Sequence, residues 1–180
     1  SSAVQRFGEA KGAIELLLGE SYARRDHVAL VAVRGQVAEL LLPSTRSLTR
    51  AKRVLSSLPG GGGTPLASGI DAGFEVAKAA AHRGQSPMIV LLTDGQANVA
   101  RDGSHGRKQA SADALDAARA VQQSGLPAVV LDTSNRPQVR AADIAAAMGA
   151  RYMPLPRADA EALARTVSTV ADEARSERVV

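Results

Sequence analysis

Oxygen-bearing side chains stand at three places where regular structure is expected to begin or end. These are Ser1 and Ser2 at the start of the chain, Thr64 in GGGGTPL (60–66), and Asp94 in LLTDG (91–95). In an open α/β sheet, functional groups collect beyond the carboxyl ends of the strands, where loops meet helix N-termini. Hydroxyls and one carboxylate gathered there make an oxygen-only cation site. Mg²⁺ suits it, being a hard ion that takes oxygens in near-octahedral geometry and keeps several waters. With so few anionic groups the ion stays under-neutralised, and an open position on it attracts a carboxylate from another protein. The chemistry is that of adhesion.

Each of these residues also has a plainer reading. A run of glycines is usually a flexible loop, Thr64 then Pro65 reads as a helix N-cap followed by the first helical residue, and Asp94 then Gly95 reads as a turn. The buried strand expected before Asp94 weighs against a turn alone. The glycine run is not a nucleotide phosphate loop, since no Gly-Lys-Ser/Thr follows and Lys78 lies far down the next helix. A metal-assisted hydrolase using Asp94 or Asp132 as nucleophile or ligand would want an acidic pair such as D-x-D, and neither strand end has one. His27, His82 and His105 show no ligand spacing. Arg101, Asp102, His105, Arg107 and Lys108 form a charged loop, solvated by default but placed after Asp94 as a rim for a partner. The residues expected to meet a partner are Gly63, Pro65, Gly95, Arg101, Asp102 and Arg107.

The elements that must position these groups follow from periodicity. Val4, Phe7, Ile14, Leu17 and Leu18 are spaced for an amphipathic first helix, and no strand precedes it. HVALVAVRG (27–35) and QVAELLLP (36–43) read as a hairpin turning near Arg34 and Gly35, its second strand antiparallel at an edge. A short helix over 47–58 stops at Pro59, and a long one after Thr64 sets Leu66, Ile70, Phe74, Ala77 and Ala81 on one face. PMIVLLTDG (87–95) and LPAVVLDT (126–133) are apolar enough to be strands buried on both faces. Between them a helix turns Leu115, Ala118 and Val121 inward. An Ala-rich helix over about 138–148, a strand at RYMPLP and a last helix with Leu163, Val167, Val170 and Ala174 inward complete the pattern. Such β-α repeats predict one domain over 1–180, a three-layer α/β/α, Rossmann-like fold with a mostly parallel sheet.

Composition narrows the class. Hydrophobic residues make up 45% of the 180 but aromatics only 2%, so the core must be built from Ala, Val, Leu and Ile. A net charge of +4 with no Trp, two Tyr and two Phe lacks the stacking platform that nucleic-acid binding wants. With no Cys, disulfides, thiolate metal sites and Cys nucleophiles are excluded. No apolar run reaches the length of a membrane span, and the first residues lack the regions of a signal peptide, so no membrane insertion is expected.

Ser1, Thr64 and Asp94 stand in the order and contexts of the metal-ion-dependent adhesion site of von Willebrand A (integrin I-like) domains, D-x-S-x-S, then Thr, then Asp. LPGGGGTPLASG, LLTDGQANVARDG and LDTSNRP resemble more narrowly the C-terminal domain of magnesium chelatase D subunits, and the resemblance spans essentially the whole chain. It implies that Ser1 is the last Ser of the motif, Thr64 a direct hydroxyl ligand and Asp94 a ligand acting directly or through water, around Mg²⁺ or another divalent cation. The motif's Asp and first Ser, and the first central strand that carries them, are missing from this chain. The family implies a non-catalytic docking domain that captures an acidic side chain and bridges to an AAA+ ATPase I subunit and a porphyrin-binding H subunit. ATP would enter only through that ATPase. The complex inserts magnesium into protoporphyrin IX for chlorophyll or bacteriochlorophyll, in the cytoplasm of a photosynthetic bacterium or in a plastid stroma. A von Willebrand A domain of another AAA+-associated protein, such as a cobalt chelatase subunit, would share the fold.

Overall fold

The computed structural model describes residues 27–32, 38–57, 63–132, 134 and 139–154, with 12, 15, 18 and 19 of a first helical stretch and 165, 166, 168–170, 172 and 173 of a last one. Ser1, the hairpin turn at Arg34 and Gly35, and most of the first helix lie outside the described residues, although Leu18 is buried as expected.

Strands β1 (Val28–Ala32) and β2 (Glu39–Thr45) pair antiparallel, from Ala32 opposite Glu39 to Val28 opposite Thr45. Helix α1 (Leu48–Ser56) follows. Its start is fixed by the Ser47 hydroxyl, which accepts the Arg50 N–H at 3.2 Å and so satisfies one of the amides a helix leaves without an internal partner. Ala51 is buried on its inner side. Helix α2 (Leu66–His82) buries Leu66, Ala67, Ile70 and Ala77. Its first turn also holds the hairpin, since the Ser68 hydroxyl accepts the Ala38 N–H at 2.9 Å.

The remainder alternates strand and helix: β3 (Ile89–Thr93), α3 (Arg107–Ser124), β4 (Ala128–Asp132), α4 (Val139–Met148) and β5 (Arg151–Pro154). β3, β4 and β5 form a parallel sheet with β4 in the middle, Ile89 opposite Ala128 and Thr93 opposite Asp132. All five residues of β4 are buried. Because side chains alternate across a strand, Val130 and Ala128 join the core with α2, α3 and α4, whereas Val129 and Leu131 pack with Val170 of the last helical stretch on the opposite face. Helices therefore cover both faces, which is the expected three-layer arrangement.

In place of one continuous sheet, the described strands form two ladders, β1–β2 and β3–β4–β5. Helix α2 contacts β1, β2 and β3 and so spans both.

Helix α3 sits between α2 and α4 and meets them through alanine, with Ala110, Ala114, Ala117 and Ala118 all at most 1% exposed. Small side chains on that face let the helices approach closely. Enlarging one of them forces rotamers and backbones apart, which typically costs about 1–3 kcal/mol. Ala114→Leu should accordingly lower unfolding stability by about that amount in urea titration, whereas Ala112→Leu on the exposed side of the same helix should change it little.

Candidate functional site

The end of β3 builds one half of the site. Thr93 is buried, and its hydroxyl accepts the Gly95 N–H at 3.0 Å. Asp94 is partly buried, and its Oδ1 accepts the Gln96 N–H at 2.9 Å. These two side-chain-to-backbone bonds turn the chain sharply away from the strand. Gly95 completes the turn at φ +79°, and a Cβ there would lie 2.4 Å from the Ala141 nitrogen and 2.6 Å from the Arg140 carbonyl carbon. The strand end is thus backed directly onto the first turn of α4. Asp94 both serves the turn and keeps its second oxygen free: Oδ2 has no hydrogen-bond partner among the described residues.

Thr64 builds the other half. Its N–H donates to Asn98 Oδ1 at 2.7 Å, and its carbonyl accepts the Asn98 and Val99 N–H groups at 3.3 and 3.4 Å. The glycine loop is thereby fastened to the segment that leaves Asp94. Thr64 is not the helix cap that the Thr-Pro pair suggests: α2 begins at Leu66, the cap position falls on Pro65, and no side chain caps it. The shift arises because Thr64 is held by Asn98 and Val99, and it leaves the Thr64 hydroxyl without a partner among the described residues. Two oxygens without partners among the described residues, one hydroxyl and one carboxylate, therefore stand on loops joined by three hydrogen bonds. They fit a hard cation and not a soft one. Among the described residues no group of three or more His, Cys, Asp or Glu is placed to hold a metal ion. Ser1 lies outside the described residues.

The charged loop after Asp94 is folded into a small hairpin. Val99 bridges His105, the Ala100 N–H donates to the Ser104 carbonyl at 2.9 Å, and the Gly103 N–H closes on Ala100 at 3.0 Å. Arg101 is engaged within the protein. Its guanidinium bonds Asp71 of α2 at 2.9 and 3.0 Å and Asp116 of α3 at 2.6 Å, and its N–H bonds Asp113 at 3.0 Å. Those hydrogen bonds and charges hold it protonated even more firmly than usual. It braces the hairpin against two helices and is exposed. Pro65 and Gly95 are buried, so they shape the site and offer no surface to a partner. Gly63 is partly buried, and Asp102 and Arg107 are exposed. The Ser104 hydroxyl and N–H hold the Asp102 carboxyl below its ordinary range.

Asp132, at the height of Thr93, is fully buried. Oδ1 accepts the Ser134 N–H at 2.9 Å and hydroxyl at 2.5 Å, and Oδ2 accepts the Tyr152 hydroxyl at 2.5 Å. Buried and with both oxygens hydrogen-bonded, it anchors the end of β4 to Ser134 and Tyr152. Asn98, by contrast, escapes sequence reading: an Asn in a polar loop gives no sign that it reaches a threonine 34 positions earlier.

The matching family model, von Willebrand factor type A domain, covers residues 1–96, and the chain belongs to that family. A solved structure, the aerotolerance-related membrane protein from Bacteroides fragilis, superposes with a TM-score of 0.70 at 19% identity, over 93% of this chain and 88% of its own, which supports the fold. Within the family, the chain is 57% identical over 167 residues to the magnesium-chelatase 60 kDa subunit of Cereibacter sphaeroides and 53% identical over 164 to that of Rhodobacter capsulatus. It is covered to 93% and 91% in these alignments and spans 30% and 29% of the relatives' lengths. No described helix is long and apolar enough to cross a membrane.

Two outcomes test this geometry. Gly95→Ala combines a left-handed backbone with a clash against α4, so it should cost roughly 2–5 kcal/mol in denaturant unfolding. The Tyr152 hydroxyl is raised from 10.0 to about 12, first by burial and then by its bond to Asp132. Since the folded pKa lies above the unfolded one, its contribution is complete below pH about 10 and is lost as pH rises through about 12. Unfolding midpoints across that window should fall for the parent protein and flatten for Tyr152→Phe.

Proposed function

We propose that this domain is a divalent-cation-dependent docking module of a magnesium chelatase subunit. The observation that carries the reading is a pair of oxygens without partners among the described residues, Thr64 Oγ1 and Asp94 Oδ2, on two loops that hydrogen bonds hold together. Thr64 and Asp94, with Ser1, are the residues that would hold Mg²⁺ or a similar ion. A cation bound there supplies a Lewis-acidic position left open to an acidic side chain of a partner. With one carboxylate among these donors, that attraction is only partly neutralised within the domain. The α2 N-terminus lies beside Thr64 with no acidic residue in its first turn, so its dipole favours the incoming carboxylate as well.

The likeness to magnesium-chelatase subunits supports placing this docking within such a complex. Its partners are then the AAA+ ATPase subunit and the porphyrin-binding subunit, for ATP-driven insertion of magnesium into protoporphyrin IX. The adhesive ion is distinct from the magnesium that is cargo, and the domain itself carries no turnover. Asp102, exposed on the hairpin, and Arg107, exposed at the start of α3, form the rim that the partner meets.

Binding of the ATPase subunit to the protein at its natural length, measured by titration calorimetry with Mg²⁺ and with EDTA, checks the reading. Thr64→Ala and Asp94→Ala should each weaken the Mg²⁺-dependent binding by at least about tenfold, in the range of losing a charge-assisted contact. Binding that ignores both EDTA and the two substitutions would leave the fold with some other docking surface.

A further inference from the structure

We infer that Asn98 is a positioning residue of this site, the clamp that sets where the Thr64 hydroxyl stands. The inference rests on the reading that Thr64 and Asp94 hold a cation. Thr64 follows four glycines, the residue type with the widest backbone freedom, and precedes Pro65, which favours extended backbone at Thr64. Asn98 adds a constraint on both sides of that residue. Its side-chain Oδ1 takes the Thr64 N–H at 2.7 Å, while its own N–H donates to the Thr64 carbonyl at 3.3 Å. The Val99 N–H reaches the same carbonyl at 3.4 Å, a longer contact that leaves the Thr64 N–H untouched.

The clamp is itself anchored. The Asn98 carbonyl accepts the Gly106 N–H at 3.1 Å, at the base of the hairpin and immediately before α3. Asn98 also stands four residues after Asp94, on the same segment. Both candidate ligands are thus referred to one short piece of chain, and the clamp uses only the backbone of Thr64, so its hydroxyl stays free. A coordinating group must be held to within about half an ångström, and supporting bonds of this kind are what hold it. Asn98 is exposed, so truncating its side chain opens no cavity in the core. Its effect on ligand placement can therefore be separated from an effect on folding.

Mn²⁺ binding to the protein at its natural length, without nucleotide, separates the possibilities, because electron paramagnetic resonance counts the free ion directly. Asn98→Ala should weaken Mn²⁺ binding at least fivefold, with an unchanged far-ultraviolet circular dichroism spectrum. Asn98→Asp, which keeps an oxygen able to accept the Thr64 N–H, should bind Mn²⁺ at least as tightly as the parent. Parent-like binding by Asn98→Ala would overturn the clamp, as would equal losses in Asn98→Ala and Asn98→Asp. Thr64→Ala then tells which reading has failed. If it loses Mn²⁺ while Asn98→Ala does not, the cation site stands and the clamp falls; if it binds Mn²⁺ as the parent does, the cation site falls as well.

Discussion

Parallel pairing places the carboxyl ends of neighbouring strands on one edge of a sheet, and the buried middle strand β4 imposes that constraint here. Its five residues are shielded on both faces, so its register with β3 cannot slip without turning apolar side chains toward the wrong layer. That register sets Thr93 level with Asp132. Once β3 ends there, the Thr93 and Asp94 side chains must satisfy the first amides of the turn, and Gly95 must pass close to α4. The position of Asp94 is therefore a consequence of core packing on both sides of the sheet.

The parts of this arrangement that repeat along the chain were the parts legible in the sequence. Alternation of strand and helix, the inward Ala118 and Val121 of α3 and the continuous apolar runs of β3 and β4 all report burial through periodicity, and the fold follows from them, whereas the buried Ala110, Ala114 and Ala117 emerge only in the structure. Thr64 and Asp94 were visible because each stands at a boundary between such patterns. Asn98 was not, since a side chain that bonds a distant backbone carries no periodic mark. Arg101 shows the same limit from the other direction: a charge in a polar loop reads as solvated rim, and only the fold brings Asp71, Asp113 and Asp116 around it. The start of α2 was misplaced by one residue for a related reason, because the hydrogen bonds that hold Thr64 come from across the molecule.

Asp94 shows why a turn and a ligand are not competing explanations. A carboxylate has two oxygens and several lone pairs. Using Oδ1 to fix the turn orients the group and leaves Oδ2 directed by that same bond. Thr64 is arranged on the same principle, with its main chain engaged and its side chain free. Two loops thus arrive at one solution, local for Asp94 and long-range for Thr64, in which hydrogen bonding fixes orientation and leaves one oxygen without a partner among the described residues.

The alanine contacts around α3 have a thermal consequence. Alanine has no side-chain rotamers to freeze on burial and little apolar area to withdraw from water. A core made of it, with few aromatic rings, gains less hydration heat capacity per residue than one made of larger side chains. Its stability curve should be correspondingly broad, changing slowly with temperature around its maximum. The domain's cohesion then depends more on close helix contact than on hydrophobic area, which makes it tolerant of cooling and sensitive to any added methyl group at the α2–α3–α4 seam.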